Sequence, residues 1–365
     1  MQILRVLLGA LYLAAPSLTL VGCSIPSPQG VLQEYLERVA NVLEQPLPSA
    51  SASTPAISLP ARRERQLAIN ELRAGVLDAL DLADCGLLPL ISERNSILGK
   101  VKRPSAVMVY EYKFFGLLQR CYLQDQQKPI HDEEFSRRLS EIYQTKRANL
   151  PAVVWNALLA SSEMEANLSL THPPLALEGN PGFGASLRAL QGLQQYRHSL
   201  QHLPSQRAFQ PPADMDNLEQ HYFALYASEY GSQLFTSLRL LTQQLNQTAA
   251  VIERKLAQRP LCPSGRPVAK ANHLKGVFDR YYATQLLPYM ARVQREGLLW
   301  LKQMEQLSLP LPTQTTDPLD RYRRRMLSTT DPDSIWQHYQ RAISRHTRSW
   351  QQILDQCGLM PGSDA

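Results

Sequence analysis

The sequence predicts an all-α protein, an elongated multi-helix bundle in one or two helical subdomains, with long coiled-coil-like helices in the C-terminal half. Three observations carry that expectation. Apolar residues recur at spacings of three and four, as in Trp336, Tyr339, Ile343, His346, Trp350, Ile353 and Cys357. Hydrophobic residues make up 44% of the 365 residues against only 17 glycines, a balance that favours helices over strand-and-turn folds. No period-two run of useful length and no convincing internal repeat competes with the helical pattern.

In chain order, residues 1–22 read as a secretory leader, with Arg5, an apolar run from Val6 to Ala15 and small residues before the cut. Pro16, Ser17 and Thr19 interrupt that run well short of the roughly 20 apolar residues a membrane span needs. Leu20-Val21-Gly22-Cys23 then resembles the lipobox of bacterial lipoproteins. The resemblance implies cleavage after Gly22, acylation of Cys23 and, with Ser24 rather than Asp following, sorting to the periplasmic face of the outer membrane.

Residues 23–60 combine Cys23, a short helix over Gly30–Glu44 and a Pro- and Ser-rich linker. The helix is amphipathic: Val31, Leu32, Tyr35, Leu36, Val39, Val42 and Leu43 share one side. An N-terminal bundle is expected over 61–168. It starts with a helix over Arg62–Asp84, whose Ile69, Leu72, Val76 and Leu80 form a core stripe, and continues as a hairpin of Leu87–Leu98 and Pro104–Gln124. Asp132 caps a helix carrying Phe135, Leu139 and Ile142, and another begins near Pro151 with Trp155, Leu158 and Leu159.

Residues 169–184, with Pro173-Pro174 and Gly179-Asn180-Pro181-Gly182, read as an irregular connector to a C-terminal bundle over 185–365. There a helix over Ala185–Leu203 precedes the longest element, Met215–Arg259, which Gly231 breaks. A helix over Lys270–Leu307 kinks at Pro288, and Asp331-Pro332 starts the last one.

With Cys23 acylated, Cys85, Cys121, Cys262 and Cys357 remain, an even number that suits two disulfides and allows three connectivities. The hairpin legs, about 21 Å out and 26 Å back, bring Cys85 and Cys121 to one end. The expected pairs are therefore Cys85–Cys121 and Cys262–Cys357, with free structural thiols as the alternative.

No residue is assigned a catalytic role. Gly-x-Ser-x-Gly and Gly-rich phosphate loops are absent, and no cofactor or metal is expected. His198 and His202 stand four apart, but even with His221 they fall short of a defined metal site. His131-Asp132-Glu133-Glu134 reads as a helix start, and His338 and His346 as boundary or core residues.

Two features lean toward binding. Arg321, Arg323, Arg324 and Arg325 are a candidate anion-binding run, with a solvated charge run as the blander reading. Glu93, Arg94 and Asn95 make one hairpin leg unusually polar, and Glu111 falls on the apolar face of the other, with Arg94 a candidate partner. This cluster is either functional or a buried network that fixes helix register.

The lipobox, the Glu93–Ser96 stretch, Lys100–Ser105 and the Tyr110-Glu111-Tyr112 helix to Cys121 resemble an uncharacterised family of Gram-negative lipoproteins known only as a domain of unknown function. The resemblance implies envelope placement and brings no catalytic residues. A formal charge of +6 and a pI near 9.0 suit anionic neighbours. The expected role is a lipid-anchored adaptor or binding module for an envelope protein, peptidoglycan or anionic lipid. Nucleic acid is not an expected partner. The competing expectation is a hydrolase of cell-wall or lipid material built on Glu93, Arg94 and Glu111.

Overall fold

A computed structural model describes residues 26–49, 57–70, 82–96, 102–201, 203, 207–309 and 316–360. The leader, Gly22, Cys23 and His202 lie outside these residues, as do Leu72, Val76 and Leu80. Among the described residues every regular element is helical.

The helix α1 (Pro28–Leu43) starts where Ser27 accepts the Gly30 amide, with Pro at the first turn where its missing N–H costs nothing. Its buried stripe of Val31, Leu32, Tyr35, Leu36, Val39 and Leu43 agrees with the sequence pattern. The expected helix over Arg62–Asp84 is different: α2 spans only Arg62–Arg65, and residues 66–70 run without regular structure along a later helix. Ile69, expected in the core, is 41% exposed.

The cause lies in α5 (Glu133–Leu159), reached through α3 (Leu88–Asn95) and α4 (Pro104–Gln127). Asn156 exchanges hydrogen bonds with the Leu67 backbone (2.7 and 2.9 Å), and Asn149 does so with Asn70 (3.0 and 2.8 Å). Seven helical residues rise about 10.5 Å, and three extended residues span about 10 Å, so two amide side chains match two backbone positions. The backbone groups a helix would use are already taken.

Pro151 lies inside α5, where the sequence suggested a boundary between two helices. An interior proline costs about 3 kcal/mol. Here Leu150, Val153, Val154, Trp155 and Leu158 are all buried around it, and their burial outweighs that cost. Next, α6 (Ser162–Leu168) and α7 (Gly182–Gln201) flank the segment expected to separate two bundles. Leu175 there is fully buried and its amide donates to Ser237 at 2.9 Å. One connected apolar cluster runs from Val31 to Cys357, so this segment crosses a continuous core.

The break in the longest element falls at Glu229, in the left-handed region (φ 46°, ψ 25°), between α8 (Leu218–Ser228) and α9 (Tyr230–Gln258). Gly231 is helical and serves another purpose. A Cβ there would lie 2.4 Å from the Trp300 ring and 2.6 Å from the Asn167 carbonyl.

Trp300 belongs to α11 (Leu287–Leu307), which continues α10 (Ala269–Val277) through a π-helical stretch, Phe278–Leu286. These wider turns end at Leu286, two residues before Pro288, where the sequence suggested a kink. Thr284 and Gln285 donate to carbonyls five residues back, following the same wider spacing.

After α12 (Asp317–Tyr322) and a π turn over Arg323–Leu327, α13 (Ile335–Asp355) begins three residues later than the Asp331-Pro332 start suggested. Asp331 accepts the Asp333 amide in a local turn, leaving Ser334 as the cap that accepts from Gln337 at 3.2 Å.

The core is built around α9, against which α1, α6, α7, α11 and α13 pack. The helix α13 runs parallel to it: Asn246 meets Arg345, and further along Leu261 meets Gln356. The disulfide Cys262–Cys357 closes that end, and Cys85–Cys121 joins the short α3 hairpin to α4, as expected. Their sequence separations of 36 and 95 correspond to about 4 and 5 kcal/mol of loop-closure stabilisation.

Substituting Gly231→Ala tests the α9–α11 contact. Helix propensity gains about 1 kcal/mol, but the clash with Trp300 costs more, giving a net loss of about 1–2 kcal/mol in urea unfolding. An unchanged midpoint would refute the close approach.

Candidate functional site

The polar cluster expected on the α3–α4 hairpin forms, but with different partners. Glu111 faces Lys146 on α5, which donates to both carboxylate oxygens at 2.8 Å, so Arg94 is not its partner in the way the sequence suggested. Lys146 also stands 4.8 Å over the Phe114 ring. Glu93 accepts from Lys102 at 2.5 Å, and this bond holds its carboxyl below the usual range. Lys102 in turn lies 5.2 Å over the Tyr110 ring, and Arg94 acts on the same tyrosine electrostatically. Asn95 ends α3 on the exposed side. Each carboxylate is thus paired with a lysine whose ammonium group also stands over an aromatic ring. The reason Lys146 wins is positional: it projects from α5, the helix packed along α4.

The arginine run is divided by its helix. Arg323 pairs with Asp320 at 3.0 Å and Arg325 with Asp333 at 2.9 Å, while Arg321 and Arg324 are exposed on α12 and the following turn. Tyr322 between them is buried, donating to the Leu168 carbonyl. Two of the four guanidinium groups thus already have carboxylate partners.

His198 is exposed and His221 is half-buried above Gly192, its Nε2 3.9 Å from Asp214. Burial keeps the His338 pKa below its usual value. Among the described residues no group of three or more His, Cys, Asp or Glu side chains could hold a metal ion. Near His131 an open depression is lined by Asp125, Asp132 and Glu133, but its acids have structural tasks. Asp132 caps α5 through the Phe135 amide, Asp125 accepts the Ile130 amide and His131 meets Asp84 at 2.9 Å. Among the described residues no helix is long and apolar enough to cross a membrane.

Three features were not read from the sequence. Arg65, in a basic first turn that looks solvated, is 1% exposed and binds the Pro60 and Leu159 carbonyls and Glu165. Trp350 donates to the Tyr35 hydroxyl (2.7 Å), which donates to His346 Nε2 (2.9 Å), so α1 and α13 share a buried hydrogen-bonded triplet. The Tyr282 ring lies 4.7 Å from that of His346, tilted by 43°. Since Nε2 accepts, the imidazole proton sits on Nδ1, which is buried with no partner. Burial lowers the His346 pKa to about 3 and raises that of Tyr35.

The third is Phe223 and Tyr226 on α8, 70% and 59% exposed. The sequence carried a signal for it. They stand three apart but off the buried stripe of Leu218, Tyr222 and Leu225, and so define a second aromatic face.

Fold and site together define a disulfide-tied all-α protein whose buried polar side chains are largely committed to joining helices. The chain belongs to the family described as Protein of unknown function (DUF3080), whose model matches residues 32–361. No curated protein and no solved structure matches it.

Two measurements follow from this geometry. Glu111→Gln removes the charge partner of a lysine that is only 17% exposed, with an expected loss of about 2 kcal/mol. Lys146→Met should cost a similar amount, and the double variant less than the two together in urea unfolding. Additive losses would show that the pair is not coupled. For His346, the folded pKa of about 3 lies below the unfolded 6.5, so stability is complete above pH 6.5 and falls as pH drops toward 3. The slope from this residue is up to about 1.4 kcal/mol per pH unit, and His346→Gln should flatten it.

Proposed function

We propose that this chain is a lipid-anchored protein of the bacterial envelope, held through Cys23 at the periplasmic face of the outer membrane, where it acts as a non-enzymatic binding module. The observation that carries the binding role is the engagement of Glu93 and Glu111 by Lys102 and Lys146. General acid catalysis at neutral pH calls for a carboxyl whose pKa is raised, and Glu93 is shifted the other way. The disulfides Cys85–Cys121 and Cys262–Cys357 support the placement, since such bonds persist in oxidising compartments such as the periplasm. Among possible targets an envelope protein is favoured over an anionic polymer, because Arg323 and Arg325 already have carboxylate partners.

Placement is tested by Cys23→Ala in cells fed a labelled fatty acid. The variant should lose the label and move to the soluble envelope fraction. Unaltered labelling and membrane association would overturn the lipid anchor.

A further inference from the structure

Resting on the binding-module reading, we infer that the exposed face of α8 docks a cationic segment of another protein, one that carries Arg or Lys beside apolar side chains. Phe223 and Tyr226 have the greatest exposure of the large hydrophobic side chains described, and they stand one helical turn apart. Two aromatic rings presented to solvent on one helix face are unusual in a chain that buries its other tyrosines as deeply as Tyr196, Tyr222 and Tyr230. Helical geometry sets Glu219 and Gln220 in line with them, four and three residues before Phe223, and Asp216 lies one turn further back. Asp216 and Glu219 are exposed and form no ion pair among the described residues. An acidic and aromatic surface therefore stands on a chain whose formal charge is +6.

The chemistry selects the occupant. Aromatic faces attract guanidinium and ammonium groups, and the adjacent carboxylates complete the charge match. Anionic lipid is disfavoured because Asp216 and Glu219 would meet its headgroups, where a membrane-seated helix carries Lys or Arg. A second copy in a closed dimer would present this same face, which carries no Lys or Arg to meet Asp216 and Glu219. A basic segment with an apolar residue between its cations meets neither penalty: the apolar residue covers the rings while the cations reach Glu219 and Asp216.

The test uses the full chain and two synthetic peptides, one with Leu on one helical face and Arg on the other, and a counterpart with Glu in place of Arg. The Arg peptide should bind, and Phe223→Ala with Tyr226→Ala should weaken it about tenfold. Asp216→Asn with Glu219→Gln should weaken it about threefold and reduce its salt dependence. All four side chains are exposed, so circular dichroism should show the variants folded as the parent. No binding of the Arg peptide, equal binding of the Glu peptide, or equal binding by the parent and the aromatic variant would each overturn the proposal. Sedimentation of the parent as a dimer that the aromatic substitutions dissociate would assign the face to a second copy and refute it. So would aromatic-dependent retention on vesicles of phosphatidylglycerol. Because the peptides are read in solution, failure here leaves the Cys23 result standing, and loss of the anchor leaves this result standing.

Discussion

The shared hydrogen bonds of Trp350, Tyr35 and His346 tie α1 to α13, with Tyr282 of the π-helical stretch packed against them. Three elements far apart in sequence meet there: Tyr35 lies 311 residues from His346, and Tyr282 closes the ring of aromatics from a third direction. In a dry interior such bonds are costly to leave unmade, so they select one register for α1 against α13. The triplet works only while His346 is neutral with Nε2 free to accept, and burial enforces that state. The residual cost is the Nδ1 group, which has no partner and is buried.

The same logic governs the rest of the polar interior. Side chains that look reactive in sequence are spent on bringing helices together: Glu111 joins α4 to α5 through Lys146, Arg65 joins α2 to the end of α5 and to α6, and Tyr322 joins α12 to α6. Asn149 and Asn156 go further and act as a substitute strand edge for residues 67–70. The exposed side chains of Phe223 and Tyr226 on α8 take no part in these links.

The helical class and most buried stripes were legible because each follows from local periodicity, and the disulfide pairing because a short hairpin brings Cys85 to Cys121 and leaves Cys262 for Cys357. In α1 and α13 the residues expected to face inward do so, His346 included. Boundaries were less legible wherever a distant group intervened. Asn156 took the Leu67 backbone out of a helix, apolar packing carried α5 through Pro151, and Glu229 rather than Gly231 made the turn. In the candidate cluster, sequence named the right carboxylate, Glu111, and the wrong partner, because Lys146 approaches from a helix whose packing no local pattern specifies.

What the sequence by itself determined is therefore the helical class and the apolar side of most helices, since a period of 3.6 acts within a few residues. It also supplied the Leu20-Val21-Gly22-Cys23 motif, on which the proposed envelope placement rests. Only the tertiary structure decided which charges pair and which aromatic residues stay in solvent. Those outcomes depend on the order in which helices stack around α9, and stacking is set by many weak contacts between residues far apart in the chain. Phe223 and Tyr222 are neighbours of similar hydrophobicity, yet one is 70% exposed and the other 3%, because only one face of α8 has helices to meet.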